Sequence, residues 1–387
     1  MMTPPINMKK QSTIPGNLIC LSHLRWDFVY QRPQHLLTRF AKQADVYFYE
    51  EPVFDGTEES FLEISNRGEQ LYVVVPHLQQ GLNQAQIDLA MSALFDQFIA
   101  EFELDDTIFW YYTPMALPFT EKHSPKAVIY DCMDELSGFK FAHSEIGQFE
   151  QKLIARADLM FTGGYSLYQA KKQYHNNIYP FPSSIEKEHF ATARFCDEAA
   201  DQVSIKGPKI GFFGVIDERF DTSLIGEIAT AIPNWQLIII GPVVKIDAET
   251  LPKNTNIHYL GQKTYKELPS YLAGWDVAML PFLLNESTRF ISPTKTPEYL
   301  AANIPVVSTP IHDVISPYGD EGLVHICNNS NSFINAINEE LQSNDKSQWE
   351  QKVSLFLEDI SWDKTQFAMA ELIMQTISDH TEISIAS

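Results

Sequence analysis

Residues 292–309 read SPTKTPEYLAANIPVVST, and this stretch decides the fold that we expect. It ends in "IPVVST", an almost purely apolar run that is typical of a strand buried on both faces of a parallel sheet. It begins with Pro-Thr-Lys directly before a predicted helix, and the helix N-termini of such sheets bind anions. The stretch therefore predicts half of a phosphate-binding site in an α/β protein.

Short apolar strands alternate with longer amphipathic segments along the whole chain, which is the pattern of parallel βα units. The predicted strands are residues 17–22, 46–50, 71–76, 107–112, 127–131, 159–163, 209–214, 235–241, 257–261, 277–282, 304–309 and 323–327. A polar linker, roughly residues 182–208, separates two sets of six strands. Two such sets predict two Rossmann-like domains that face a cleft, with ligands at the carboxyl ends of the strands.

We expect a first domain over residues 1–190, a second over 205–358, and a C-terminal helix and tail over 359–387. A helix is predicted over 84–102, where several apolar side chains share one face. These side chains are Leu89, Leu94, Phe95, Phe98 and Ile99. A last amphipathic helix is predicted over 361–380, with Ser361 as its N-cap.

Composition limits the class of protein. The chain has 387 residues, too many for one ordinary core, and its 44% hydrophobic and 20% charged residues are typical of a soluble globular protein. Its net charge of −22 argues against a nucleic-acid partner, because phosphate backbones require clustered Lys and Arg. The four cysteines lack metal or disulfide spacing, so we expect reduced core thiols in a cytoplasmic protein.

Membrane contact is expected to be peripheral at most, at the inner face of the plasma membrane. No segment approaches the roughly 20 apolar residues of a membrane helix. The N-terminal "MMTPPINMKKQSTIPG" lacks the apolar core of a signal peptide. The pair Lys171 and Lys172 would either touch anionic lipid or form a solvated helix face.

The loop in "GFFGVIDERFD" suits a phosphate better than a dinucleotide, since no G-x-G-x-x-G follows a strand. Gly214 would let a diphosphate approach the backbone, and Arg219 would contact it. The alternative is a tight turn in which Arg219 pairs with Asp217 or Asp221. Hydride chemistry is disfavoured in either case.

The stretch from 292 to 309 supplies the other side of this site. Ser292, Thr294 and Lys295 would lie at a helix N-terminus, where backbone N–H groups and the ammonium meet the same phosphates. Glu298, one turn later, suits two adjacent sugar hydroxyls. These residue types match a nucleotide diphosphate with its ribose.

The strings "LGQKTYKELPSYLAGWDVAMLPF" and "SPTKTPEYLAANIPVVST" resemble the donor domain of GT-B-fold glycosyltransferases, close to the large retaining family that uses nucleotide sugars. In the first half, "LSHLRWDFVYQRPQHLLTRFAK" and "YDCMDELSGF" resemble bacterial transferases of polysaccharide and teichuronic-acid assembly. The resemblance implies that the tail helix crosses back to the first domain. It also implies that Glu298 binds ribose, that the loop after Gly214 holds the diphosphate, and that Gln262, Lys263 and Tyr265 hold the base.

The chain departs from this family at three positions. Val215 and Asp221 replace an Arg and a Lys of the diphosphate loop, and Phe290 replaces a glutamate eight residues before Glu298. The missing positive charge would have to come from other residues. These are Arg219, Lys295 and Arg289.

Acceptor-side candidates follow strands of the first domain. His23, Arg25, Trp26 and Asp27 come after the first strand, where Trp26 would stack on a sugar and Asp27 or His23 would bind hydroxyls or accept a proton. The alternative is a helix entry in which Asp27 caps, Trp26 packs and Arg32 pairs with an acid.

Two further polar groups follow other strands of the first domain. Asp131 or Asp134 would act as a base or cap a helix. Gly163, Gly164 and Ser166 would form a third cleft loop.

The expected function is transfer of a sugar from a nucleotide diphosphate sugar, a UDP sugar above all, to a hydroxyl of a saccharide or lipid-linked glycan. No metal or other cofactor is required, since Arg219 and Lys295 can stabilise the leaving diphosphate. Retention of configuration is favoured; inversion would use Asp27 or Asp131 as the base. The alternatives are a UDP-sugar 2-epimerase of the same fold and an inactive nucleotide-sugar-binding assembly subunit.

Overall fold

The computed structural model describes residues 14–55 and 58–386, with side chains through His380. The sequence predicts no signal peptide in the N-terminal stretch, and residues 1–13 of that stretch lie outside the described residues. Within the described residues, no helix combines the length and the apolar character that a membrane crossing demands.

The first sheet has nine strands within the described residues, and all of its pairings are parallel except one. The strands are β1 (Asn17–Leu21), β2 (Asp45–Tyr49), β3 (Val53–Phe54), β4 (Phe61–Gly68), β5 (Leu71–Leu78), β6 (Thr107–Tyr111), β7 (Ala127–Cys132), β8 (Leu159–Thr162) and β9 (Ile178–Pro180). The strand order is β3-β5-β2-β1-β6-β7-β8-β9, and β4 pairs antiparallel with β5. The sheet is therefore a Rossmann-like sheet with a hairpin at one edge.

The second sheet is entirely parallel, with six strands in the described part of the chain. They are β10 (Lys209–Phe213), β11 (Gln236–Ile240), β12 (Ile257–Gly261), β13 (Val277–Leu280), β14 (Val306–Ser308) and β15 (Val324–Ile326). The order β12-β11-β10-β13-β14-β15 reverses direction at β10, so a crevice opens where β10 and β13 diverge.

Helices flank both sheets. They are α1 (Arg32–Phe40), α2 (Gln84–Ile99), α3 (Leu117–Thr120), α4 (Ile146–Arg156), α5 (Tyr165–Lys171), α6 (Lys187–Ala191), α7 (Thr222–Ala231), α8 (Leu268–Leu272), α9 (Lys295–Ala301), α10 (His312–Val314), α11 (Ser330–Gln342), α12 (Ser347–Phe356) and α13 (Trp362–Ala386). The α/β class with two Rossmann-like domains is thus confirmed.

All twelve predicted strands are present, with ends that differ by at most two residues. The strands β3, β4 and β9 were not predicted. The predicted helix α2 is present but ends at Ile99 rather than at 102. The prediction was wrong for Leu89, which is 72% exposed, whereas the other four side chains of the predicted face are buried. The helix therefore buries a narrower stripe than its apolar residues suggest.

The linker is packed rather than loose. It contains α6, and Ile185 and Phe190 are fully buried in the core of the second domain. The predicted domain boundaries at 190 and 205 stay predictions, but each sheet falls inside one predicted domain.

The C-terminal helix returns to the first domain, as expected. Ser361 caps α13, because its Oγ accepts a 3.2 Å hydrogen bond from the Lys364 backbone N–H. The buried side chains Trp362, Met369 and Ile373 belong to the first-domain core. Packing against the first-domain core therefore fixes the position of α13 on that domain, although the helix follows the second sheet in sequence.

Two surface predictions are corrected. Lys171 is buried between Glu135 and Glu150, with 2.7 Å ion pairs to both, so it is not available to lipid or solvent. Three of the four cysteines are buried, as predicted, whereas Cys196 is exposed.

Candidate active site

A cleft of about 1010 Å³ separates the two domains, and the carboxyl ends of both sheets open into it. Most of the predicted site residues line it. They are Asp27, Gly214, Arg219, Gln262, Lys263, Ser292, Thr294, Lys295 and Glu298. The side chains of His23 and Asp131 do not.

The donor corner of the cleft forms where the loop after β10 meets α9. Gly214 has a φ of +143°, and a Cβ atom there would lie 2.1 Å from Lys295 Cε and 2.7 Å from Lys295 Nζ. The ammonium of Lys295 therefore rests directly against the backbone of the glycine loop. The predicted meeting of these two segments is confirmed.

A second glycine, Gly241, completes this corner and was missed. It directly follows β11 and has a φ of +146°, and a Cβ atom would lie 1.8 Å from the Gly214 carbonyl oxygen. The sequence signal was the glycine at the end of "WQLIIIG", because a strand end beside the phosphate loop requires close backbone approach.

Lys295, which is partly buried, and Glu298, which is buried, carry opposite charges in the first turn of α9. Burial lowers the pKa of Lys295 and raises the pKa of Glu298, while the charge of each opposes the shift of the other. A bound anion beside Lys295, or sugar hydroxyls on Glu298, would supply the partners that burial has removed.

Arg219 is held by Asp217, as the alternative interpretation predicted. Its Nε lies 3.0 Å from Asp217 Oδ1 and its Nη2 lies 2.7 Å from Oδ2, and its guanidinium stacks over Phe139 of the first domain at 5.4 Å. Arg219 still lines the cleft, so pairing fixes the guanidinium there without removing it from a ligand.

In the structure, residues at the positions that depart from the family pattern make other contacts. Asp221 caps α7, with a 2.9 Å hydrogen bond from the Leu224 backbone N–H. Phe290 packs against the first-domain core. Arg289 is 62% exposed, pairs with Glu286 at 3.6 Å and does not line the cleft, so Lys295 and Arg219 are the better sources of positive charge.

The predicted base loop reaches the first domain. Gln262 Nε2 donates a 2.6 Å hydrogen bond to the Phe28 carbonyl oxygen, and Tyr265 stacks on Tyr30 at 4.7 Å. Lys263 is tied to Asp201 by a 2.6 Å ion pair. A base in this loop would therefore meet the main chain and Gln262 rather than the Lys263 ammonium.

On the acceptor side, the helix-entry alternative is correct in two of its three parts. Trp26 is 9% exposed and packs edge-on against Phe48 at 5.1 Å, and Arg32 pairs with an acid. Asp27 caps no helix in the described part of the chain; its side chain is exposed at the cleft wall and pairs with Arg67 at 2.8 Å.

Arg25 forms an ion pair, and His23 does not line the cleft. Arg25 Nη1 lies 2.9 Å from Glu50 Oε2. Burial lowers the pKa of His23 to about 4, with the charge of Lys245 adding to the shift and a hydrogen bond to the Tyr112 backbone opposing it, so His23 is neutral at pH 7. Because His23 does not line the cleft and has a lowered pKa, it is not favoured as the group that accepts a proton.

Asp131 is fully buried at the end of β7. Its two oxygens accept hydrogen bonds from Arg32 Nε at 3.1 Å and Arg32 Nη2 at 2.9 Å. A carboxylate in this bidentate pair is a poor base, because its protonation would leave the buried guanidinium unpaired. The predicted role of Asp131 as a base is therefore not favoured.

Asp134, three residues later, lines the cleft instead. Burial raises its pKa to about 6, opposed by the charges of Arg219 and Arg32 and aided by that of Asp217. The charges of an arginine from each domain thus act on this cleft carboxyl, and its pKa lies near the working range of a general acid or base.

Comparison with known proteins agrees with this geometry. Residues 207–343 match the family described as glycosyl transferases group 1. The chain is 26% identical over 216 residues to TuaH of Bacillus subtilis (strain 168), a protein assigned to teichuronic acid biosynthesis as a glycosyltransferase. That match covers 52% of this chain and 54% of TuaH, so the likeness spans about half of the length of this relative.

Solved structures resemble nearly the whole chain. Sucrose-phosphate synthase of Thermosynechococcus elongatus has a TM-score of 0.71 at 13% identity, covering 94% of this chain and 99% of its own. The trehalose-6-phosphate protein of E. coli, bound with UDP-2-fluoro glucose, has a TM-score of 0.69 at 13% identity (92% and 99%). HepE of Anabaena, in complex with UDP and glucose, has a TM-score of 0.64 at 13% identity (93% and 99%).

These likenesses confirm the predicted resemblance. The architecture is that of the GT-B glycosyltransferases, and the second domain carries the group 1 glycosyl transferase sequence pattern.

Proposed function

We propose that the protein transfers a sugar from a nucleotide diphosphate sugar to a hydroxyl of a saccharide or lipid-linked glycan in bacterial surface polysaccharide synthesis. The observation that carries this proposal is the contact between Lys295 and Gly214 in the cleft, with Glu298 one turn along α9. A UDP sugar is the proposed donor, in line with the UDP ligands of two structural neighbours.

The diphosphate would lie against the glycine loops at Gly214 and Gly241. Lys295 and Arg219 would then stabilise the negative charge that develops as the sugar leaves, because preorganised cations in a partly dry cleft need little reorganisation. These two residues would replace the family cations lost at Val215 and Asp221. We propose on this ground that transfer needs no metal ion.

Glu298 would accept hydrogen bonds from the ribose hydroxyls, and the loop at Gln262 would hold the base. A carboxylate whose pKa is raised by burial gains most from two hydroxyl donors, since they restore the solvation that it lost. Ribose binding would therefore favour the ionised form of Glu298.

The acceptor hydroxyl would lie beside Asp134, on the first-domain side of the leaving diphosphate. We propose retention of configuration, in which the acceptor hydroxyl needs no strong base. Asp27 and Asp131, the bases expected for inversion, are both engaged by arginines, so inversion would have to use Asp134 instead. A lipid-linked acceptor would bring the protein to the inner face of the membrane.

The donor site is tested by thermal stabilisation with UDP, GDP, ADP, CMP and NAD. Ligand at one hundred times its Kd should stabilise the folded protein by about 2.7 kcal/mol. We expect a shift with one nucleoside diphosphate, lost in Glu298→Ala and kept in part in Glu298→Gln. Glu286→Ala, a matched change at an exposed glutamate outside the cleft, should keep the full shift.

Turnover assays separate the outcomes. Transfer to an acceptor, with the product anomer read by NMR, would support the proposal and decide the stereochemistry. Donor conversion without an acceptor would identify an epimerase, and nucleotide binding without turnover would identify a binding subunit. No shift with any nucleotide would overturn the donor site.

A further inference from the structure

A contact between the two domains lies beside the donor loop, outside the cleft wall. Asp313 of α10 is 4% exposed, and its Oδ1 accepts a 3.0 Å hydrogen bond from the Ser166 backbone N–H in the first domain. The same oxygen lies 3.3 Å from Nδ1 of the neighbouring His312. The Oδ2 of Asp313 has no hydrogen-bond partner within the described residues. A buried carboxylate with one oxygen unpaired opposes folding, so stability alone does not account for Asp313.

Gly164 of the first domain fits against this carboxylate. Its backbone is extended, with φ −170° and ψ 169°, a conformation that any residue adopts. A Cβ atom at Gly164 would nevertheless lie 2.1 Å from Asp313 Oδ2 and 2.9 Å from Ser292 Cβ. The three nearest atoms all belong to the second domain, so a side chain at this position would collide with that domain where the two meet.

Ser292 connects this contact to the donor site. It lines the cleft and lies three residues before Lys295. Its carbonyl oxygen accepts a 2.7 Å hydrogen bond from Ser183 Oγ, in the linker. The donor loop is therefore held by Gly164 on one side and by Ser183 on another, and both contacts depend on how the domains meet.

We propose that Gly164 and Asp313 form a closure contact that sets the donor loop, residues 292–295, against the first domain. Asp313 is then a positioning residue, which acts through the Ser166 N–H and Ser292 rather than on substrate. The kinetic part of this inference rests on the proposed transferase function, since donor and acceptor sit on opposite domains. Displacement of one reacting group by about 1 Å can cost on the order of 100-fold in rate.

Four variants test the contact: Gly164→Ala, Asp313→Ala, Asp313→Asn and the control Gly147→Ala. Gly147 lies in α4 of the first domain, and a Cβ atom there would meet nothing within 4 Å. The readouts are the radius of gyration from small-angle X-ray scattering with and without UDP, the Kd for UDP, and kcat and KM for transfer.

Gly164→Ala should fold and bind UDP within about threefold of wild type, because the nucleotide contacts lie in the second domain. It should remain expanded with and without UDP, and its kcat should fall about 10- to 100-fold with donor KM little changed. Asp313→Ala should behave alike. Asp313→Asn keeps an oxygen for the Ser166 N–H and should recover most of the compaction, and Gly147→Ala should match wild type.

A Gly164→Ala protein as compact as wild type, with unchanged kcat, would overturn the proposal, as would loss of UDP affinity in step with kcat. Failure of the transferase proposal would look different: wild type would neither bind UDP nor turn over. Scattering of the unliganded wild type and Gly164→Ala would then still decide whether the contact closes the domains.

Discussion

Two carboxyl groups three residues apart show how little of a site is fixed by residue type. Asp131 and Asp134 both follow β7, and the sequence offered both as candidate bases. Arg32, 99 positions from Asp131 in sequence, binds the first of them, while the second is left in the cleft. No local sequence pattern indicates which aspartate a distant arginine binds. The sequence therefore could not predict that Asp131 is paired and that Asp134 lines the cleft.

The pKa of Asp134 makes a prediction about pH. If its ionised form accepts the hydrogen bond of the acceptor hydroxyl, kcat/KM should rise with pH and level off above about 6, the pKa to which burial raises this group. Asp134→Asn should lose this acid limb along with most activity. The check is a pH profile of wild type and variant between pH 5 and 8.

Stability gives an independent control on Asp134, with the sign set by linkage. Because the folded-state pKa is raised, the folded protein binds the proton more tightly than the unfolded chain, and stability falls as pH rises from the unfolded pKa to about 6. Asp134→Asn should therefore be the more stable protein at pH 7.5, with the difference shrinking towards pH 4. A variant less stable than wild type at pH 7.5 would contradict the assigned environment.

At the scale of elements, the buried parallel strands were predictable and the exposed edge was not. Strands such as β10 and β11 are short apolar runs buried on both faces, and the run itself, bounded by turn residues, reveals them. By contrast β4, which reads FLEISNRG, is mostly exposed and, among the described strands, pairs only with β5, so its sequence carries no burial pattern. The donor corner could be predicted, because its glycine and its lysine come after such buried strands in the sequence. The residues that face it from the acceptor side could not be predicted.

The junction of β10 and α9 makes a second prediction. Gly214→Ala should weaken UDP binding about 10- to 100-fold, because the new Cβ would displace Lys295 and cost a charge-assisted contact. It should also destabilise the fold by about 1–3 kcal/mol, owing to its φ of +143°. Calorimetric titration with UDP and chemical denaturation measure the two effects.

Gly322→Ala separates backbone strain from contact. Gly322 also has a positive φ, +68°, but a Cβ atom there would meet nothing within 4 Å, and the residue does not line the cleft. This variant should lose stability and keep its UDP affinity. Equal losses of affinity in both variants would mean that strain, rather than Lys295, is responsible.

For the whole molecule, two segments that cross between domains determine the architecture. The linker buries Phe190 in the second-domain core, and α13 buries Ile373 in the first-domain core after the second sheet is complete. The sequence predicted both segments, but a polar linker gave no sign of its packing. The resemblance to GT-B proteins supplied the direction of α13, which an amphipathic pattern alone cannot give.

This arrangement predicts that the C-terminal helix is part of the first domain in stability as well as in position. Ile373 is fully buried against that core, so Ile373→Ala should lower the free energy of unfolding by about 2–5 kcal/mol. Phe367, on the same helix, is half-exposed, and Phe367→Ala should cost about 1 kcal/mol or less. Urea denaturation followed by fluorescence measures both. Similar losses in the two variants would contradict the packing of α13 on the first sheet, while a large loss for Ile373→Ala alone would place the last helix inside the first-domain folding unit.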